Sequence, residues 1–202
     1  MKLIGMLDSP YVRRVAISLD LLGVRFEHDP LSVFRTFEAF SRINPVVKAP
    51  TLVLDDGSVL MDSTLIIGYF ETLSGPDSKL LPQQPQALAA ALVTLGLALA
   101  ACEKAVQIVY EHNQRPAEKL HLPWVERVTG QLLAACTELD KHCASHPSQG
   151  ERPDQAALTT AVVWSFIQLM LPEVVRAEEF PALNAHAARL EETDVFKRYP
   201  IT

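Results

Sequence analysis

Three short stretches of the chain carry residue types that can act on a ligand. In "LDSPYVRRVAI", residues 7–17, Ser9 and Pro10 stand at the entrance to a helical pattern. A serine there caps the helix, and its hydroxyl beside a helix N-terminus is also a donor for a bound anion. In "NPVVKAPTLV", residues 44–53, Pro50 directly precedes a strand-like run. The start of a strand tolerates a residue with no N–H, and a cis bond at that proline would turn the Ala49 backbone outward. In "MDSTLIIGYFE", residues 61–71, Asp62 and Ser63 precede a second helical run. Ser63 is placed to cap it, and the free N–H groups of its first turn can hold an anion. Taken singly, each feature is ordinary punctuation. Their joint order and spacing point to one shared site.

The elements that must position these residues follow from the hydrophobic pattern. "KLIGML" is an apolar run of strand length. Val12, Val15, Ala16, Leu19 and Leu22 recur at helical spacing, and Gly23 ends that helix. Val24, Phe26 and His28 alternate as in a strand. A helical or irregular stretch covers residues 34–42. "TLVL" and "SVLM" flank Asp55-Asp56-Gly57, a strong hairpin signal. Leu65, Ile66, Tyr69, Phe70 and Leu73 form a last helical face. The order strand, helix, strand, helix, strand, strand, helix joins a right-handed parallel unit to an antiparallel hairpin with a covering helix. The fold class is therefore α/β plus all-α, with a thioredoxin-like N-terminal domain over residues 1–74.

"SGPDSKLLPQQP" holds three prolines and a glycine and reads as a linker at 75–85. Residues 86–202 then read as an all-helical bundle, with helices expected over 87–113, 123–146, 154–170 and 181–192. The chain has 202 residues, 49% of them hydrophobic, enough for a sizeable core. A formal net charge of −6 argues against a nucleic-acid partner. No apolar run reaches the roughly 18–20 residues of a membrane span, so a membrane partner is not expected. The N-terminus shows no secretory or transit pattern. Three cysteines, Cys102, Cys136 and Cys143, form no close pair, and with the six histidines they make no zinc signature. They read as buried small hydrophobes in a cytoplasmic protein without a metal.

Together, "SPYVRRV", "NPVVKAPTLV", "MDSTLIIGYFE" and "KLLP" resemble the glutathione S-transferase superfamily, most closely its serine-type tau-like and bacterial branches. The resemblance implies a cytoplasmic detoxification enzyme, a homodimer that takes glutathione as co-substrate. It implies that Ser9 donates its hydroxyl to the glutathione sulfur. Ala49 would pair its backbone with the cysteinyl unit and precede a cis Pro50. Asp62 and Ser63 would hold the γ-glutamyl end, and Lys48 would approach the glycyl carboxylate. A zwitterionic γ-glutamyl group calls for a carboxylate toward its ammonium and a helix N-terminus toward its own carboxylate. Lowering a thiol of pKa ~8.5 by ~2 units requires ~2.7 kcal/mol. One hydrogen bond to a charged acceptor supplies roughly 1.5–3 kcal/mol, and a helix N-terminus adds roughly 0.3–1 kcal/mol.

The helical half would form the electrophile pocket, with Tyr11, Tyr110 and Arg115 as its candidates. The sequence departs from the family pattern at Val47, where glycine is common. It departs again at "PDQAAL", where Asp154 keeps a cap but Ala157 lacks the reciprocal partner. Serine in place of cysteine at position 9 argues against disulfide exchange. Trp164 reads as core, and Arg14 reads as one half of a surface or interdomain ion pair. Two other activities fit the same first half: a non-catalytic glutathione-fold binding protein, and a glutathione-dependent isomerase or peroxidase.

Overall fold

The computed structural model describes residues 1–146 and 152–201. They form two compact units. One is Met1–Gln83 together with the chain from Thr193 onward, and the other is Gln84–Glu192.

The first unit is built on four strands in the order β2-β1-β3-β4. These are β1 (Lys2–Ile4), β2 (Glu27–Asp29), β3 (Thr51–Val53) and β4 (Val59–Met61). β1 pairs parallel with β2 and antiparallel with β3, and β3 pairs antiparallel with β4. Helices α1 (Pro10–Leu21), α2 (Phe37–Ile43) and α3 (Ser63–Leu73) complete this part of the chain. The mixed sheet and its crossovers are thioredoxin-like, as the element order implied. Leu3, Ile4, Val12, Val15, Leu52 and Ile66 are wholly buried. At about 1.5–3 kcal/mol for each large apolar side chain removed from water, such residues dominate the unit's stability.

The ladder of β2 begins later than the alternating pattern suggested. Val24 N still donates to Leu19 O at the end of α1. Pairing starts only where β1 has a partner to offer, Lys2 opposite Glu27. The alternation itself holds, with Val24, Phe26 and His28 half-buried and Arg25 and Glu27 exposed.

The linker is tied down at its apolar end. Leu80 N donates to the buried Glu71 carboxylate at 2.8 Å. At the other end of the chain, α8 (Asp194–Arg198) packs on α1, a return that no motif announced. Arg13 holds it there. Its Nε donates to Tyr199 O at 2.7 Å, and its guanidinium lies 5.2 Å from the centre of the Phe196 ring. Asp20 accepts from both Nε and Nη2 of Arg198.

The second unit is helical: α4 (Pro85–Asn113), α5 (Leu122–Ser145), α6 (Gln155–Met170) and α7 (Pro181–Glu191). α4 packs against α5 and α6, and α7 against α5 and α6. Ala98, Ala101 and Ala105 are fully buried on α4, and small side chains there allow close helix approach. The expectation that no segment reaches spanning length needs correction. Helix continues from Pro85 to Asn113, and by length and composition α4 is apolar enough to cross a membrane. Its buried face nevertheless belongs to this helical core. Trp164 is core as expected, 2% exposed, with its Nε1 donating to Asn184 Oδ1. All three cysteines are buried, and burial pushes the Cys136 thiol up to about 12 and the Cys143 thiol to about 11. Asp154 caps α6, accepting from Ala157 N at 2.7 Å.

Candidate functional site

The site assembles around a glycine that no motif singled out. Gly5 follows β1 with φ +139°, a conformation that L side chains rarely adopt. A Cβ built there would lie 2.6 Å from Val12 Cγ2 and 3.2 Å from Ala49 Cβ. The missing side chain lets the first turn of α1 and the Ala49–Pro50 loop close on the same point. Val12, in the helix turn that Ser9 caps, and Ala49 thus both pack against Gly5 from distant parts of the chain.

Ser9 is the N-cap of α1, with Pro10 as the first helical residue. Its Oγ accepts from Val12 N at 3.4 Å, a long bond. A hydroxyl that accepts from an N–H keeps its own proton to donate. Capping and donation to an anion therefore coexist on Ser9. Next to it, burial pushes the Asp8 carboxyl up, against a smaller downward effect of Arg35.

The Ala49–Pro50 peptide bond is cis. A buried network fixes the loop before it. Asn44 Nδ2 donates to Thr51 Oγ1 at 2.8 Å, Thr51 Oγ1 donates to Lys48 O at 2.7 Å, and Val46 N donates to Asn44 Oδ1 at 3.0 Å. Val47 sits at φ 52°. Only glycine is at ease there, and a β-branched residue is strained. The departure noted in the sequence thus coincides with the one position of this loop that requires left-handed backbone. Lys48 is exposed and makes no ion pair among the described residues.

The third stretch carries the other strained residue. Asp62 has φ 72° and ψ 123°, and its Oδ1 accepts from Thr64 N at 2.9 Å. Asp62, not Ser63, is therefore the N-cap of α3, and Ser63 is its first helical residue. This corrects the capping role expected of Ser63. The Ser63 N–H makes no hydrogen bond among the described residues, which leaves the anion-binding feature of a helix start in place. Strain of this kind costs of order 1–3 kcal/mol and gathers at functional sites.

Two residues of the site were misread or missed in the sequence. Arg14, expected in a surface or interdomain ion pair, is not a surface residue; it is 1% exposed. Its Nη1 donates to Ser63 Oγ at 3.1 Å and to Thr64 Oγ1 at 3.2 Å. Asn44 was quoted in a motif but given no role, and it is the centre of the loop network. A polar residue between the apolar helix and the Pro50 strand was the available signal.

The remaining candidates lie elsewhere. Tyr11 is half-buried on the first turn of α1. Tyr110 is exposed near the end of α4. Arg115 follows that helix and donates from Nε and Nη2 to Glu111, which holds the Glu111 carboxyl below its usual range. The second unit also contains a cavity of about 280 Å³, whose lining includes Thr94, His142, Asp154, Thr160 and His186. The Asp154 carboxylate already takes an N–H of the α6 terminus there.

Residues 3–78 match the family model described as glutathione S-transferase, N-terminal domain. Glutathione S-transferase U4 of Arabidopsis thaliana is 27% identical over 97% of this chain and 86% of its own length. The uncharacterised GST-like protein YibF of Escherichia coli is 33% identical, but over only 42% of each chain. Among solved structures, a glutathione S-transferase of Methylobacterium radiotolerans in complex with glutathione sulfonate superposes with a TM-score of 0.85. It is 26% identical, and the match covers 98% of this chain and 93% of that one. The chain is similar to glutathione S-transferases along nearly its whole length, and residues 3–78 match their N-terminal domain. Within residues 3–78, Ser9 caps α1, Ala49 and Pro50 form the cis bond before β3, and Asp62 and Ser63 stand at the start of α3. All of these, with Lys48 and Arg14, fall in the first unit.

Proposed function

We propose that this protein is a serine-type glutathione transferase that activates glutathione as a thiolate for attack on a small electrophile, in a detoxification role. The observation that carries this reading is the convergence at Gly5. It brings the first turn of α1, which Ser9 caps with a hydroxyl proton still available, and the cis Ala49–Pro50 loop against one glycine, in one unit with a free N–H at the start of α3. Glutathione sulfonate bound to the Methylobacterium radiotolerans protein supports glutathione as the ligand.

Each residue then has a task. Ser9 Oγ–H donates to the sulfur, and with the α1 N-terminus it favours the thiolate over the thiol. Ser9 neither ionises nor bonds covalently; the thiolate is the nucleophile. The Ala49 backbone receives the cysteinyl unit. The Ser63 N–H meets the γ-glutamyl carboxylate, Asp62 meets the ammonium, and the exposed Lys48 faces the glycyl carboxylate. Tyr11, Tyr110 and Arg115 remain candidates for contact with the electrophile.

Ser9→Ala tests the assignment. The expected result is a fall in kcat/KM of about 10–100-fold, the worth of one hydrogen bond to a charged acceptor. Glutathione affinity is expected to stay nearly unchanged, and the pKa of the bound thiol, followed by thiolate absorbance, to rise by about 1–2 units. An unchanged bound-thiol pKa removes Ser9 from the mechanism.

A homodimer belongs to the same proposal. Leu65, Tyr69 and Leu73 form an exposed stripe on α3, 70%, 43% and 65% accessible, and Leu92 and Val93 are exposed on α4. Exposed apolar side chains in a helical stripe, as on α3, are a feature of interaction sites. Light scattering of the purified protein measures the state directly.

A further inference from the structure

We propose that the cavity of the helical unit is a second ligand site, built for a small phosphorylated compound; it is independent of the glutathione reading above. Three helices each present a pair of residues one turn apart to a space of about 280 Å³. The pairs are His142 and His146 at the end of α5, Ala156 and Thr160 on α6, and His186 and Arg189 on α7. All six lie in the second unit. The volume falls just under the ~300–1,000 Å³ of clefts that take drug-sized ligands, so the occupant is small.

The wall is rich in donors. The Ala156 N–H belongs to the first turn of α6, where an anion is favoured, and it makes no hydrogen bond among the described residues. Asp154 takes the next N–H, that of Ala157. One turn further on, Thr160 is 2% exposed, and its Oγ1 has no hydrogen-bond partner among the described residues. A buried hydroxyl left unpaired is costly, and a ligand oxygen satisfies it. Arg189 is exposed and makes no ion pair among the described residues. Arg152 brings a second guanidinium, and Asp154 is the one carboxylate of the wall among the described residues. Two permanent cations against one anion, with three imidazoles that gain charge on protonation, select a negative group. A tetrahedral phosphate has oxygens enough for an N–H, a hydroxyl and a guanidinium at once. Pro153 and Leu190 give its organic part an apolar surface.

The imidazoles respond to such an occupant. The His142 and His146 rings stack with their centres 4.7 Å apart. Burial, with His146, holds His142 below the usual histidine range, against Asp154. Burial, with Arg189 and His142, does the same to His186, against its Ala157 hydrogen bond and Asp154. Cys143, also in the wall, stays a neutral thiol, pushed up to about 11 by burial. A dianion seated among these groups favours the imidazolium forms. It therefore binds with proton uptake, and more tightly as pH falls.

The test titrates the full-length protein with inorganic phosphate, phenyl phosphate, sulfate and succinate at fixed ionic strength. Binding is read by calorimetry and by the backbone amide signals of Ala156 and Thr160. Both phosphates are expected to saturate and to shift these amides, with succinate weaker than either. Sulfate, which keeps its charge across the range, is expected to bind about tenfold more tightly at pH 5.5 than at pH 8. Arg189→Gln is expected to weaken phosphate about tenfold, as for a lost hydrogen bond to a charged group. Thr160→Val is expected to weaken it comparably. Because that change also removes an unpaired buried hydroxyl, it raises the unfolding midpoint of the free protein. Arg127→Gln, exposed on α5 and outside the wall, leaves phosphate binding at the wild-type level.

Phosphate that does not saturate, or that shifts only Ser63 and Thr64 at the start of α3, overturns the proposal. Equal losses in Arg127→Gln and Arg189→Gln do so too, because they show attraction to general surface charge. Succinate as tight as phosphate defeats the phosphate assignment. A Thr160→Val protein that gains stability and keeps its phosphate affinity shows a buried hydroxyl with no ligand to serve, and ends the proposal. If that variant does not fold, Arg189→Gln and the Ala156 amide decide it. A protein that binds phosphate here but binds no glutathione upholds this site and defeats only the glutathione reading.

Discussion

The two units differ in how their backbones are used. Among the described residues, every positive φ lies in the first unit: Gly5, Gly23 and Gly57, and the non-glycine residues Val47 and Asp62. The described residues of the second unit have none. It is built of regular helices whose stability comes from buried apolar faces and ordinary caps. On the proposed glutathione reading, the first unit must bring residues 9, 49 and 62 to one ligand from three different loops, and a positive φ stands near each of them, at Gly5, Val47 and Asp62. Its chemistry therefore depends on a few positions that cannot be exchanged. The stability of the second unit is spread over many that can.

Glycine substitutions expose this contrast most strongly. Gly5→Ala places a Cβ 2.6 Å from Val12 Cγ2 in a backbone that disfavours any side chain. Overpacking and strain together are expected to remove about 3 kcal/mol from the first unit. Gly130→Ala, in α5 with nothing within 4 Å of its Cβ, is expected to add about 0.5–1 kcal/mol instead. Denaturant titration of the two variants measures both. Equal changes of the same sign would show that Gly5 is not a point of close approach.

The sequence carried the fold well because its signals were local. The hairpin turn at Asp55-Asp56-Gly57, the Gly23 stop and the helical faces of α1 and α3 are each written within a few residues. Ser9, Pro50 and Asp62 stood out for the same reason. The surroundings of Arg14 and Gly5 were not legible because they are set by residues far away in the chain. An arginine at position 14 and one at position 13 look alike in a helical pattern, yet one reaches Ser63 and the other Tyr199. The α8 segment was missed likewise, since its partner is a helix more than 170 residues earlier. In the second unit the helices were legible, but apolar faces alone name no substrate.

Acid is expected to act mainly on the second unit. His186 is buried, with its Nε2 donating to Ala157 O, and burial holds its pKa below the usual histidine value of about 6.5. Arg189 and His142 push it the same way, while the Ala157 hydrogen bond and Asp154 oppose them. Burial likewise lowers His142, next to His146. A histidine depressed in the folded state binds more protons when unfolded, so its contribution is present above pH 6.5 and is lost as pH falls through the folded pKa. Both tryptophans, Trp124 and Trp164, lie in this unit and report on it alone. Their unfolding midpoint is expected to fall between pH 7.5 and 5, and His186→Gln to flatten the dependence. A slope unaffected by that substitution would place the acid sensitivity on other groups.

The smallest effect tests whether the first unit carries strain at Val47. Left-handed backbone costs an L residue roughly 1–2 kcal/mol, and glycine in its place gives back about 0.5–1 kcal/mol in unfolded-chain entropy. Val47→Gly is therefore expected to stabilise the unit by about 0.5 kcal/mol, by subtraction of these ranges. The same change at Val93, exposed on α4, relieves nothing and costs a few tenths of a kcal/mol in helix propensity. Denaturant midpoints that move in opposite directions at unchanged slope confirm that valine at 47 is tolerated against its own preference. Such tolerance is what a loop shows when the buried Asn44–Thr51 network dictates its path. If both midpoints fall, Val47 side-chain packing outweighs its backbone, and the loop is held by contact instead of by that network.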